Sequence, residues 1–107
     1  MPEIKVARVE DIPPGSKKTY RASNTRVLIV NVDGKLYGIQ PVCSHVSNPL
    51  APGKLRGKVI YCDKHFASFD VTTGEAVDLP PGLTSLDPIR TYPVRIDGGD
   101  VIVSVPE

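Results

Sequence analysis

The only two cysteines and the only two histidines of this chain fall into two short clusters. Cys43 and His45 form a C-x-H pair, and Cys62 and His65 form a C-x-x-H pair after sixteen intervening residues. Thiolates and imidazoles are the side chains that bind transition metals most readily. Grouped in this way, the four residues predict a metal site built from two separate segments.

Other chemistry is open to the same residues. The two cysteines could form a disulfide, although the N-terminal stretch MPEIKVAR has no secretion signal and cytosolic thiols are kept reduced. A single cysteine or histidine often only packs or hydrogen-bonds, which is less favoured when all four are clustered. Two thiolates and two imidazoles also suit a structural zinc ion, so the ligand types alone leave the metal open.

The structure of the segments that carry the clusters is predicted from the prolines and glycines of the chain and from the runs between them. Eleven prolines and nine glycines are spread from end to end, so few windows could hold a long helix. Short β-branched runs between them predict strands at residues 4–9, 26–32, 35–39, 58–62, 92–96 and 101–105. Turn residues predict antiparallel hairpins at 33–34, 73–74 and 97–100, and residues 78–88 predict a long surface loop. We therefore expect an all-β fold, a small antiparallel sandwich or barrel, with both clusters on loops at strand ends.

Length and charge narrow the classes of function. The chain has 107 residues, enough for a single domain, and its thirteen basic and twelve acidic residues are mixed along it, which argues against nucleic-acid or lipid-headgroup binding. No apolar run is long enough to cross a bilayer, so we expect no membrane insertion and a cytoplasmic protein. Once the four clustered residues are assigned to a metal, no nucleophile set and no glycine-rich phosphate loop remains, so substrate chemistry belongs elsewhere.

The order of the ligands points to one family. Zinc fingers usually place a cysteine pair before a histidine pair, whereas this chain interleaves them. The pattern C-x-H, sixteen residues, C-x-x-H resembles that of the Rieske-type iron–sulfur proteins. The likeness extends to Pro49-Leu50, to residues 52–62 and to residues 65–81, and it covers roughly residues 26–105.

The resemblance implies a cofactor, its ligands and a domain plan. The cofactor would be one [2Fe–2S] cluster, with Cys43 and Cys62 on the inner iron and His45 and His65 on the outer iron. Replacing two thiolates by neutral imidazoles removes two negative charges, so the cluster accepts an electron more easily. Residues 1–107 would form a single Rieske-type domain, with a base at about 1–40 and 71–107 and a cluster-binding lobe of two loops at about 41–70.

Within the family, the chain looks like the soluble, low-potential ferredoxins. Respiratory members carry an extra disulfide, and the corresponding positions here are Asn48 and Lys64. The hydroxyls that stabilise the reduced cluster in the high-potential branch are replaced by Ala67 and Phe69, which should lower the potential. The chain departs from those ferredoxins at Asp63 and Lys64, where they commonly have Pro and Trp.

The resemblance implies an electron-transfer protein that is not itself an enzyme. We expect it to pass single electrons from a reductase to an oxygenase or another terminal acceptor. The small subunit of a nitrite reductase-like enzyme and a zinc-stabilised β interaction module are the alternatives. A basic stretch could steer an acidic partner or could simply be a solvated face; it comprises Lys54, Arg56, Lys58 and Lys64.

Overall fold

The regular structure of the described residues consists of eleven strands and one 3₁₀ turn. The computed structural model of the chain describes residues 2–42, 50, 53–62, 67–79, 82 and 84–106. The strands are β1 (Glu3–Arg8), β2 (Lys17–Ala22), β3 (Thr25–Val32), β4 (Lys35–Ile39), β5 (Leu55–Arg56), β6 (Val59–Tyr61), β7 (Ser68–Asp70), β8 (Ala76–Asp78), β9 (Thr91–Tyr92), β10 (Val94–Asp97) and β11 (Asp100–Ser104). A 3₁₀ turn, Val9–Asp11, is the one helical segment in these ranges, so this part of the chain holds no helix able to span a membrane.

The strands form three antiparallel sheets. Their orders are β1-β11-β10 in the first sheet, β2-β3-β4-β9 in the second and β5-β6-β7-β8 in the third. This confirms the prediction of a small antiparallel all-β fold. The predicted hairpins at 33–34, 73–74 and 97–100 are confirmed as the β3–β4, β7–β8 and β10–β11 connections.

The second sheet lies between two hydrophobic cores, and β3 contributes side chains to both. Val27 and Ile29 enter one core, while Leu28 and Val30 enter the other, because successive side chains of a strand point to opposite faces. The terminal core, shared with the first sheet, contains Ala7, Ile12, Ala22, Val27, Ile29, Leu36, Val101, Val103 and Val105. The loop-side core, shared with the third sheet, contains Leu28, Val30, Ile39, Leu50, Ile60, Cys62, Ala67, Phe69, Val71 and Ile89.

One long strand was not predicted, and one predicted run contains two strands. β2 was not predicted, because most of its side chains are at least partly exposed and only Ala22 is fully buried. The single run predicted at 92–96 is two strands, β9 and β10, which belong to different sheets and are separated at Pro93. The third sheet extends beyond residue 70 to Asp78, because β8 pairs with β7.

Asp70 ties together the turn that follows β7. Its Oδ1 accepts hydrogen bonds from the backbone N–H of Thr72 at 2.8 Å and from the Thr72 hydroxyl at 2.6 Å. Its Oδ2 lies 3.3 Å from Nζ of Lys58. Burial by itself would raise the pKa of Asp70, but the Thr72 hydrogen bonds and the Lys58 ammonium together hold that pKa below its ordinary value of 3.8.

Asp70→Asn is expected to lower the unfolding temperature more at about pH 7 than at about pH 3. A carboxylate whose folded pKa is depressed stabilises the fold above its unfolded pKa, and this stability is lost as the pH falls through the folded value. Thermal unfolding followed by circular dichroism at the two pH values measures the difference. Asp97→Asn, at an exposed side chain, is the control, and an equal effect of Asp70→Asn at both pH values would contradict the expectation.

Candidate functional site

Cys62 is the predicted ligand that the structure describes. It follows β6, is only 4% exposed and belongs to the loop-side core. Its backbone N–H donates to the carbonyl of Ala67 at 2.8 Å. This bond closes the base of a short loop, residues 63–66, which carries His65 in the sequence and lies outside the described residues. The second ligand pair therefore starts from a buried, fixed residue.

The segment that carries the first predicted ligand pair is closed at its base in a similar way. Cys43 and His45 fall in residues 43–49, which lie outside the described residues. The two ends of this segment are joined, because the N–H of Leu50 donates to the carbonyl of Pro41 at 2.8 Å. Leu50 is fully buried in the same core as Cys62. Both loops are therefore anchored in one apolar core.

The bases of the two loops are also in direct contact. After Leu50 the chain turns, with the N–H of Gly53 donating to the Leu50 carbonyl at 3.0 Å, and the N–H of Tyr61 then donates to the carbonyl of Lys54 at 2.9 Å. Gly53 packs so closely on the carbonyl of Tyr61 that a Cβ at this position would overlap it. Because Tyr61 directly precedes Cys62, the exit of the first loop rests against the entry of the second.

Gln40 connects the first loop to the second sheet. Its side-chain Nε2 donates to the carbonyl of Val42 at 2.7 Å, and its Oε1 accepts from the N–H of Arg90, also at 2.7 Å. Its own backbone N–H donates to the carbonyl of Arg90 at 2.9 Å. One side-chain amide thus holds the residue before Cys43 against the start of β9. The sequence gives no signal for this role, because both partners are backbone groups.

Gln40→Leu is expected to shorten the lifetime of the cluster that the sequence predicts and to cost about 1–2 kcal/mol of stability, because it leaves a donor and an acceptor without partners. Gln40→Glu keeps the acceptor for Arg90 but places a carboxylate oxygen against the carbonyl of Val42, so this variant is also expected to lose the cofactor faster than the wild type. The decay of visible absorption at a raised temperature measures the lifetime. A Leu variant as long-lived as the wild type would show that this amide does not hold the loop.

The two positions predicted to lack hydroxyls lie beside the loop. Ala67 and Phe69 are both fully buried in the loop-side core. Ser68, between them, is also fully buried. Its hydroxyl is hydrogen-bonded to Asp78 of β8: it donates to Oδ2 at 2.9 Å and accepts from the backbone N–H at 3.0 Å. The described side chains of this strand therefore direct no hydroxyl towards Cys62.

The basic stretch is partly neutralised by its own neighbours. Lys58 lies 3.3 Å from the carboxylate of Asp70, and the guanidinium of Arg56 lies 6.0 Å from the centre of the Tyr61 ring. Lys64 lies outside the described residues. Among the described members of the stretch, an ion pair therefore offsets the charge of Lys58, while Lys54 and Arg56 keep theirs.

The donor set fits an iron–sulfur cluster. Thiolates are the ligands that such clusters use, and imidazoles replace two of them on one iron in the Rieske type. Cys62 offers its sulfur from a dry, apolar setting with its backbone already fixed. The chain has two thiols and two imidazoles in all, which is the number of protein ligands that one Rieske-type cluster requires.

Comparison with known proteins agrees with this chemistry. Residues 3–93 match the family model of the Rieske [2Fe-2S] domain. The chain is 36% identical over 100 residues to the biphenyl dioxygenase ferredoxin subunit of Pseudomonas sp. (strain KKS102), an alignment that covers 92% of this chain and 88% of that protein.

Solved structures of ferredoxins are also similar to this chain. The ferredoxin of carbazole 1,9a-dioxygenase from Nocardioides aromaticivorans IC177 superposes with a TM-score of 0.86 at 27% identity, covering 97% of this chain and 98% of that one. A ferredoxin solved as a complex of reduced oxygenase and oxidized ferredoxin in carbazole 1,9a-dioxygenase superposes with a TM-score of 0.84 at 26% identity, covering 95% and 92%.

These matches confirm three predictions: one Rieske-type [2Fe–2S] cluster as cofactor, an electron carrier, and a protein that is not itself an enzyme. They also favour an iron–sulfur cluster over zinc. With a family match over most of its length and a relative above one third identical, the chain belongs to the Rieske [2Fe–2S] domain family.

Proposed function

We propose that this protein takes single electrons from a reductase and delivers them to an oxygenase, using one Rieske-type cluster held by Cys43, His45, Cys62 and His65. The observation that carries the proposal is the joining of the two loop bases. Backbone hydrogen bonds close both loops, and Gly53 packs against Tyr61 between them. The segments that contain the two Cys-His pairs therefore leave the same end of the molecule.

The chain's own residues exclude water from the inner side of the site and fix its backbone. Leu50, Ile60 and Phe69 are fully buried in the core that contains Cys62. When bound, a Rieske-type cluster takes up and gives back one electron. Histidine ligands also titrate, so we propose that electron uptake raises their pKa and is coupled to proton uptake.

The midpoint potential is expected near the lower end of the Rieske range, which runs from roughly −150 to +300 mV. Neither Ala67 nor Phe69 has a hydroxyl, and the Ser68 hydroxyl is bonded to Asp78, so the added electron gains no stabilising hydrogen bond from these side chains. Spectroscopic redox titration measures the potential. A value near the upper end of the range would contradict this explanation.

The partner assignment follows the relatives. The relative from Pseudomonas is the ferredoxin subunit of a biphenyl dioxygenase, and the carbazole dioxygenase ferredoxin was solved together with its oxygenase. We propose the same role here, with a reductase as donor, and this favours an oxygenase over a nitrite reductase-like enzyme as acceptor. We also propose a cytoplasmic location. It stays a prediction that the domain divides into a base, at about residues 1–40 and 71–107, and a cluster-binding lobe, at about 41–70.

The test of this function begins with the purified protein. We expect a red-brown solution that contains iron and acid-labile sulfide. After reduction with dithionite, electron paramagnetic resonance should show a signal of mixed histidine and cysteine ligation rather than that of an all-cysteine cluster. A colourless protein that contains one zinc ion would overturn the proposal.

A further inference from the structure

Two arginines face each other across the β2–β3 hairpin. Arg21 and Arg26 are directly paired in the register of the two strands, and both are exposed. Side chains at directly opposed positions of an antiparallel pair project from the same face, with Cβ atoms about 4.5–5.5 Å apart. Like charges at directly opposed positions are destabilising, so an anion that binds both side chains would relieve this effect.

The arginine pair is among the basic residues that form no ion pair in the described part of the chain, as are Lys17 and Lys35. Lys5, Arg8 and Arg95 form ion pairs with carboxylates of the first sheet and its turns, and Lys58 pairs with Asp70. Among the described residues, neither Arg21 nor Arg26 takes part in an ion pair. Positive charge is therefore left uncompensated at this hairpin.

One member of the pair is already oriented for binding. Nε of Arg21 donates to the carbonyl of Ser23 at 3.1 Å, in the turn between β2 and β3. This bond holds the guanidinium at the hairpin tip and leaves its two terminal nitrogens to bind a carboxylate. Arg21, Arg26, Thr19 and Tyr20 line a shallow surface depression of about 270 Å³, which offers space for a side-chain carboxylate.

The pair lies at the end of the second sheet from which the first ligand loop departs. Leu28 is opposite Ile39, the last residue of β4, and Arg26 is two positions further towards this end. β4 then continues through Gln40 and Pro41 into the loop. Arg26 also shares a strand face with Leu28, which belongs to the loop-side core together with Cys62. The pair therefore borders the part of the molecule that carries the cluster loops.

We propose that Arg21 and Arg26 form a carboxylate anchor that recognises an acidic surface of the oxygenase when the two proteins dock for electron transfer. This inference rests on the proposed function. It places an electrostatic contact on the second sheet, separate from the basic stretch 54–58, in which Lys58 is paired with Asp70. A fixed guanidinium beside a second arginine favours a carboxylate, because planar forked donors match its two oxygens.

The test compares two double variants that lose the same charge. Arg21→Gln/Arg26→Gln removes the anchor and keeps much of the aliphatic stems. Lys17→Gln/Lys35→Gln is the control, because both lysines begin strands at the opposite end of the same sheet. Each protein, holding its cluster and reduced, is mixed in stopped flow with the oxygenase component of biphenyl dioxygenase from Pseudomonas sp. (strain KKS102), and separately with hexacyanoferrate(III) as a small anionic oxidant.

We expect the arginine variant to reduce the oxygenase about ten-fold more slowly than the wild type at low ionic strength, with the two rates converging at high salt. The lysine control should stay within about two-fold of the wild type. Equal rates for the arginine and lysine variants would overturn the anchor and leave the proposed function intact. A loss seen with hexacyanoferrate(III) but not with the oxygenase would show an anion site only, which also overturns it. A wild-type protein without a cluster, or one that reduces neither the oxygenase nor hexacyanoferrate(III), would instead refute the proposed function, and the anchor with it.

Discussion

Cys62→Ala and His65→Ala are each expected to purify as colourless proteins, with iron falling from about two atoms per chain to none. Each iron of a Rieske-type cluster takes two ligands from the protein, so the loss of one leaves that iron without a complete set. Cys62 lies in an apolar core at 4% exposure, where water cannot easily take the place of the sulfur. Iron analysis, acid-labile sulfide and visible absorption measure the loss.

The control for both variants is Lys64→Ala, which changes the residue next to His65 and should keep the cluster. Circular dichroism separates loss of a ligand from loss of the fold, because a folded but colourless variant still shows the β signal of the wild type. An intact cluster in either ligand variant would contradict the assignment of that residue. Loss of the cluster from the Lys64 variant would show that the loop, rather than a single ligand, had been disturbed.

Gly53→Ala is expected to displace the entry of the second ligand loop. A Cβ at this position overlaps the carbonyl oxygen of Tyr61 and comes within 3.2 Å of the carbonyl oxygen of Leu50. Backbone oxygens cannot rotate away as a side chain does, so the two loop bases must separate. We expect a cost of about 1–3 kcal/mol, a faster loss of the cluster and an altered paramagnetic resonance signal. Thermal unfolding and the time course of visible absorption measure the first two effects.

Gly15→Ala is the matched control. Gly15 has a φ of 83°, and a Cβ there meets nothing within 4 Å, so the substitution adds only the strain of a left-handed backbone, about 1 kcal/mol. This variant should be less stable than the wild type but should give the same resonance signal. If Gly53→Ala behaved in the same way as Gly15→Ala, the contact between the loop bases would not be needed to hold the cluster.

The features that could be predicted are those whose cause lies in neighbouring residues. Asp33 and Gly34 both have positive φ values, as a tight two-residue hairpin turn requires, and their residue types predict that turn directly. The run at 26–32 predicts a strand because it is rich in β-branched residues, and β3 forms there with residues 27–30 buried on both faces. The family was predicted because ligand spacing is a local property of the sequence.

The features that were missed depend on contacts between distant parts of the chain. Gln40 bonds to Arg90, fifty residues away, through backbone atoms that any residue would supply. Arg21 and Arg26 oppose each other only because β2 pairs with β3 in one register, and β2 lacks the apolar alternation that predicts a strand. Neither feature can be recognised from the residue types at neighbouring positions.

The way in which both ligand loops are closed makes them exchangeable parts. The closing bonds, from Leu50 to Pro41 and from Cys62 to Ala67, join backbone atoms, so no side chain of these four residues takes part in them. Segments of the same length from a Rieske protein of different potential could therefore be transplanted between these fixed points without redesign of the three sheets. The protein is in this respect a ready scaffold for engineering electron carriers of chosen driving force.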